Sequence, residues 1–216
     1  MTQKIHDIDN TLYLGSALED ARWAVILLHG RGSNSRSMQG LVNAFPQGDI
    51  AYLLPQATNQ SWYPHSGFLP FEKNEPYLSA ALDLVQQHID KLQAASIPPQ
   101  RIILGGFSQG ACLSAEFVAR GSIAFKALLL FSGALLGPLE EEHSVTTPLP
   151  DLHVFVGGIQ QDPWIEEAKL RQTIRYFEER QAQVKHNIIM GHQHMIRLEE
   201  VEIVLEMLEN LFNKPE

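Results

Sequence analysis

Arg101-Ile102-Ile103-Leu104-Gly105-Gly106-Phe107-Ser108-Gln109-Gly110-Ala111-Cys112 is the stretch on which the reading of this chain turns. The apolar residues Ile102 to Leu104 suit a buried strand. Gly105 and Gly106 let the chain turn sharply after it, and the small residues that follow read as a helix start. Gly106 and Gly110 flank Ser108 in a Gly-x-Ser-x-Gly pattern, so neither brings a Cβ into a tight strand-to-helix turn. Such an elbow holds its serine in a strained conformation, with the hydroxyl exposed and the next helix's N-terminus beneath it. That arrangement presents a nucleophile beside backbone N–H donors. The five-residue pattern alone is weak: at about 7% usage each of Gly and Ser, roughly 7% of chains this long contain it by chance. Its weight depends on what surrounds it.

A length of 216 residues is ample for one large α/β domain and short for two, so residues 1–216 are read as a single domain. A hydrophobic content of 44% with 19% charged residues belongs to a globular protein rather than a disordered one. The formal net charge of -9 argues against nucleic acid, which needs clustered Lys and Arg. The single cysteine, Cys112, cannot form an internal disulfide and requires no oxidising compartment. Residues Met1 to Asp9 carry Lys4, Asp7 and Asp9 around no apolar core, unlike a signal peptide. No run approaches the ~18 apolar residues of a membrane span. The expectation is a soluble, cytoplasmic protein without integral membrane association.

Outward from the elbow, strand-like and helix-like segments alternate. Strands are expected at Thr11 to Leu14, Trp23 to Leu28, Ile50 to Leu54, Ala127 to Phe131, Leu152 to Val156 and Lys185 to Met190. Met38, Leu41, Val42 and Phe45 repeat at helical spacing after Ser35 or Ser37 as N-cap. Leu78, Leu82, Val85, Ile89 and Leu92 mark a helix that Asn74 can cap and Pro98-Pro99 ends. Two more helices are expected, from Pro163 to about Arg180 and through Leu198, Val201, Leu205 and Leu208. Gln56 to Asn74 has no period and reads as a long functional loop. Glu140-Glu141-Glu142 reads as a solvated charge run. Strands separated by helical segments imply a mostly parallel sheet with helices on both faces.

In open α/β sheets, sites form beyond the carboxyl ends of the strands. His29-Gly30-Arg31-Gly32, Ser108, Asp162 and the His192/His194 pair each follow a strand. The order Ser, Asp, His is that of a nucleophile-elbow hydrolase. A serine hydroxyl is a poor nucleophile until a neutral imidazole accepts its proton. The imidazole serves in one tautomer, which a carboxylate on its other nitrogen fixes. The tetrahedral intermediate needs two donors, for which the N–H groups of Arg31 and Gln109 are candidates.

Leu28-His29-Gly30-Arg31-Gly32, Ser61-Trp62-Tyr63, Gly106-Phe107-Ser108-Gln109-Gly110, Asp162-Pro163 and His194 with Glu199-Glu200 together resemble the phospholipase/carboxylesterase family, the acyl-protein-thioesterase-like branch of the α/β-hydrolases. The resemblance spans about residues 22 to 211. It implies an α/β-hydrolase fold without a large separate cap domain, a Ser108–Asp162–His194 triad and an oxyanion hole from the Arg31 and Gln109 amides. It also implies hydrolysis of acyl esters or thioesters without a cofactor. The chain departs from the family pattern in three places. The loop Gly158-Ile159-Gln160-Gln161-Asp162 is one residue longer than the family pattern, Ser33-Asn34 replaces an acidic residue, and the histidine motif holds two histidines. Spacing to Glu199-Glu200 favours His194 over His192, because the helix is the rigid element and the loop before it varies.

Several residues have a second reading. His29 is expected to brace the glycine loop, and Asp162 can serve as a helix cap alone. His192-x-His194 resembles a metal pair, but no third ligand stands at suggestive spacing, so no metal is assigned. The side chain of Arg31 can meet an anionic substrate group, and Cys112 reads as packing. Trp62, Phe68 and Phe71 are read as the wall of an acyl pocket, with core filling or closure of a homodimer interface as alternatives. The function expected is a serine carboxylesterase acting on a small-molecule acyl ester. A thioesterase or lysophospholipase with the same triad is the nearest alternative. A non-catalytic hydrolase-fold binding protein is the other class, and it usually carries a broken triad.

Overall fold

A central sheet of seven strands places every polar motif named above. The computed structural model describes residues 5–121, 123–140, 143 and 147–212, so Glu141 and Glu142 of the acidic run lie outside the described residues. The strands are β1 (Thr11–Gly15), β2 (Trp23–Leu28), β3 (Ile50–Pro55), β4 (Ile102–Phe107), β5 (Ala127–Phe131), β6 (His153–Ile159) and β7 (Gln183–Ile189). They lie in the order β1-β3-β2-β4-β5-β6-β7. Only the β1 edge pairs antiparallel; the other pairings are parallel. Parallel neighbours need crossovers, which the helices α1 (Gln39–Ala44), α2 (Tyr77–Ala94), α3 (Gln109–Arg120), α4 (Glu167–Glu179) and α5 (Leu198–Phe212) accompany.

The period-2 geometry of the strands divides the core in two. On β2, Ala24, Ile26 and Leu28 join one cluster with residues of α2, α3 and α4. Trp23, Val25 and Leu27 join the other, with residues of α1 and α5. Both faces are therefore covered, which is why β2 to β5 read as unbroken apolar runs. Gly106 and Gly110 sit where β4 and α3 pass the end of β2. A Cβ on either would strike the Leu28 carbonyl oxygen, so the elbow needs glycine at both for packing as well as for turning.

Three local expectations change. Helix α4 begins at Glu167 rather than Pro163, because the Asp162 carboxylate accepts the N–H groups of Trp164 (2.8 Å) and Ile165 (3.1 Å) and holds them in a turn. Asn74 caps no helix. Buried in a short 3-10 turn, it accepts from the His65 N–H and donates to the Ser66 carbonyl, while Glu75 accepts from the Ser79 N–H of α2. Strand β6 runs to Ile159, pairing Gly157, Gly158 and Ile159 with Asn187, Ile188 and Ile189, so it extends three residues past its expected end at Val156.

Candidate active site

Ser108 joins β4 to α3 with φ 54° and ψ -120°, a conformation that costs a non-glycine residue on the order of 1–3 kcal/mol. The sheet and helix pay for it from both sides: the Ser108 N–H donates to the Phe131 carbonyl on β5 (2.9 Å), and its carbonyl accepts from Cys112 of α3 (2.9 Å). Gln109 is the first residue of α3, so its N–H has no partner within that helix and points with the helix's positive end.

Asp162 and His194 arrive from the turns after β6 and β7. Their pairing puts Asp162 Oδ2 2.6 Å from His194 Nδ1. The aspartate side chain is 1% exposed and that of histidine 13%. Burial pushes the Asp162 carboxyl up, yet hydrogen bonds from His194, Trp164 and Ile165 outweigh it and hold it below the usual carboxylate range. Asp162 thus stays charged, caps its own turn with Oδ1 and receives the imidazole with Oδ2. His194 Nε2 is buried with no hydrogen-bond partner among the described residues, and the ring packs on Phe107 at 4.9 Å between centroids. His192 is exposed and takes no part in this pair.

A second set of contacts holds the glycine loop after β2. His29 is fully buried; its Nδ1 bonds the Gly30 carbonyl (2.7 Å), and its Nε2 accepts from the Ala57 N–H (3.1 Å). Burial lowers its pKa, favouring the neutral ring that this pattern requires. The Trp62 indole donates to the His29 carbonyl (2.8 Å), and the Gly32 N–H donates to the Gln60 carbonyl (2.8 Å). The Arg31 guanidinium is engaged by the protein itself, donating to the carbonyls of Pro64 (2.6 Å) and His65. The Gln109 side chain accepts from the Trp62 N–H (3.0 Å) and donates to the Tyr63 carbonyl (2.8 Å). This tie was not anticipated from the sequence, where only the Gln109 amide had a role.

Ser108, His194, Arg31 and Gln109 all line one cleft of about 780 Å³. It straddles the strand ends, since Met38 and Ile196 on its wall pack with the α1/α5 cluster and Phe68 and Ile165 with the other. Of the three loop aromatics, the structure brings only Phe68 to this wall. Trp62 is fully buried between His6 and His29, a core position set by its indole bond. Phe71 lies elsewhere, under the Arg120 guanidinium at 4.8 Å. Cys112 reaches the cleft, but burial pushes its thiol up to about 11, so it is no thiolate nucleophile at neutral pH. Trp164, which is 72% exposed, and Met195 also line the cleft, and neither carried a periodic or motif signal.

The mostly parallel sheet, a serine at a strained strand-to-helix elbow and an acid–histidine pair beyond later strands define an α/β-hydrolase, with no separate cap domain among the described residues. The fold superimposes on a phospholipase/carboxylesterase from Dyadobacter fermentans with TM-score 0.88 and 29% identity, covering 97% of this chain and 100% of that one. It shares its fold with a Bacillus cereus carboxylesterase (TM-score 0.76, 19% identity, 94% of each chain). It does so too with Arabidopsis thaliana SOBER1 (TM-score 0.69, 18% identity, 89% of this chain and 100% of that one). Residues 14–212 match the phospholipase/carboxylesterase family, and the chain belongs to it. It is a carboxylic ester hydrolase. No described helix is long and apolar enough to cross a membrane.

Proposed function

We propose that the chain is a serine carboxylesterase in which Ser108, His194 and Asp162 act as a triad and the amides of Arg31 and Gln109 hold the oxyanion. The observation that carries this is the 2.6 Å Asp162–His194 bond, which leaves His194 Nε2 buried and unpartnered on the cleft that Ser108 lines. With its Nδ1 proton donated to Asp162, the imidazole has Nε2 free to accept the Ser108 proton. Apo enzymes often hold this second contact loosely until substrate arrives. Ser108 Oγ attacks the acyl carbonyl, and the tetrahedral oxyanion meets the two amides. His194 then protonates the leaving oxygen, and water repeats the sequence to release the acyl group.

Among the described residues, Arg31 is the one Lys or Arg on the cleft wall, and its guanidinium is committed to the Pro64 and His65 carbonyls. The proposed substrate is therefore a small molecule with an uncharged acyl group, flanked by Met38, Phe68 and Ile196. A thioester meets the same groups with sulfur as the leaving atom. The proposal also takes residues 1–216 as one domain in a cytoplasmic setting, supported by a single buried cysteine that needs no oxidation. Ser108→Ala, assayed on p-nitrophenyl acetate, butyrate and octanoate and matched by circular dichroism, should lower kcat by about 10⁶-fold. Activity within tenfold of wild type would overturn the assignment.

A further inference from the structure

We propose that His6 is a positioning residue for the oxyanion hole, acting through the turn at residues 58–62; this rests on the esterase reading above. His6 stands ahead of residue 14, where the match to the family begins, so no family motif includes it. Its side chain is nonetheless buried, with 4% of the residue exposed. Both ring nitrogens reach across some fifty residues. The Thr58 N–H donates to Nδ1 (3.2 Å), which places the proton on Nε2, and Nε2 donates to the Trp62 carbonyl (3.0 Å). Burial lowers the pKa of the ring and so favours this neutral tautomer.

Those two bonds grip the two ends of a strained turn. Asn59 and Gln60, between them, have φ of 52° and 59°, left-handed values that disfavour residues with a Cβ. A turn of this kind persists where its surroundings over-determine it. The carbonyl of Gln60 accepts the Gly32 N–H at 2.8 Å, fixing the peptide next to the one that carries the Arg31 N–H. At the far end of the turn, Trp62 donates its indole N–H to the His29 carbonyl and its backbone N–H to the Gln109 side chain. The clamp of His6 therefore reaches the segments that hold both oxyanion donors. Small displacements of those donors weaken the transition state, where the charge exists, more than the bound ester, where it does not.

His6→Phe keeps a ring against Trp62 and removes both hydrogen bonds, whereas His6→Gln can restore the donor to the Trp62 carbonyl. Active sites are counted with a fluorophosphonate titrant and rates measured well below each variant's Tm. The expected result for His6→Phe is a kcat lowered on the order of 10–100-fold with KM within about twofold, as for a misplaced group in a preorganised site. Affinity for an alkyl boronic acid, tetrahedral once bound to Ser108, should fall in parallel, and His6→Gln should recover part of both losses. If His6→Phe is too unstable to assay, His6→Gln should still show a kcat deficit without a KM change. A lowered Tm with kcat per active site within twofold of wild type, or a loss confined to KM, would overturn the proposal. Failure of the esterase reading would appear elsewhere, as activity surviving in Ser108→Ala.

Discussion

His192 and His194 stand two residues apart after the same strand, and only one ring meets a carboxylate. Extended spacing separates such residues by up to ~7 Å, well beyond the ~3 Å of a hydrogen bond, so the two cannot substitute for each other. Asp162 receives His194 with one oxygen while the other fixes the turn that carries Trp164 and Ile165. The cap reading and the catalytic reading of Asp162 are thus compatible at a single carboxylate. His194→Ala should lose about 10⁶-fold in kcat, near the serine variant, because triad members act as a unit. His192→Ala, exposed and outside the pair, should stay within tenfold. Steady-state kinetics of the two variants check this, and a reversed order would move the base to His192.

The element that matters most for the histidine loop is the start of α5. Arg197 is the residue before the helix, and Glu200 in its first turn accepts the Arg197 N–H through Oε2 at 2.8 Å, one half of a capping box. Its other oxygen, Oε1, is buried against Gly157 of β6 without a hydrogen-bond partner among the described residues. Burial pushes this carboxyl up to about 7, against the pull of the Arg197 N–H and charge. The folded protein therefore binds the Glu200 proton more tightly than the unfolded chain does. Stability from this group is full below about pH 4.5 and is lost as pH rises through 7. Glu200→Gln keeps an oxygen for Arg197 and removes the titration. Its stability relative to wild type should be higher at pH 8 than at pH 4.5 by on the order of 1–3 kcal/mol, read from urea unfolding at both values. An equal effect at the two pH values would contradict the assignment of the buried charge.

Across the whole molecule, what was legible in the sequence is what sheet physics repeats. Continuous apolar runs such as Trp23 to Leu28 and Ala127 to Phe131 announced strands covered on both faces, and the polar breaks after them announced the site. Boundaries were less legible where a local competitor prevails. Gly157 and Gly158 lie beyond the strand end expected at Val156 but pair with β7, and the Asp162 carboxylate delays α4 past Pro163. Within Gln56 to Asn74 there is no period, so side-chain direction depended on tertiary bonds: Trp62 went to the core with its indole on His29, and Phe68 to the cleft. Nothing near His6 signals its partners, which lie more than fifty residues away.

The central claim is that Ser108 is the nucleophile activated by His194. Fluorophosphonate labelling, followed by digestion and mass spectrometry, tests it directly. One adduct is expected, on the peptide containing Ser108, absent from Ser108→Ala and formed orders of magnitude more slowly in His194→Ala. An adduct on another residue, or undiminished labelling of Ser108→Ala, would contradict it.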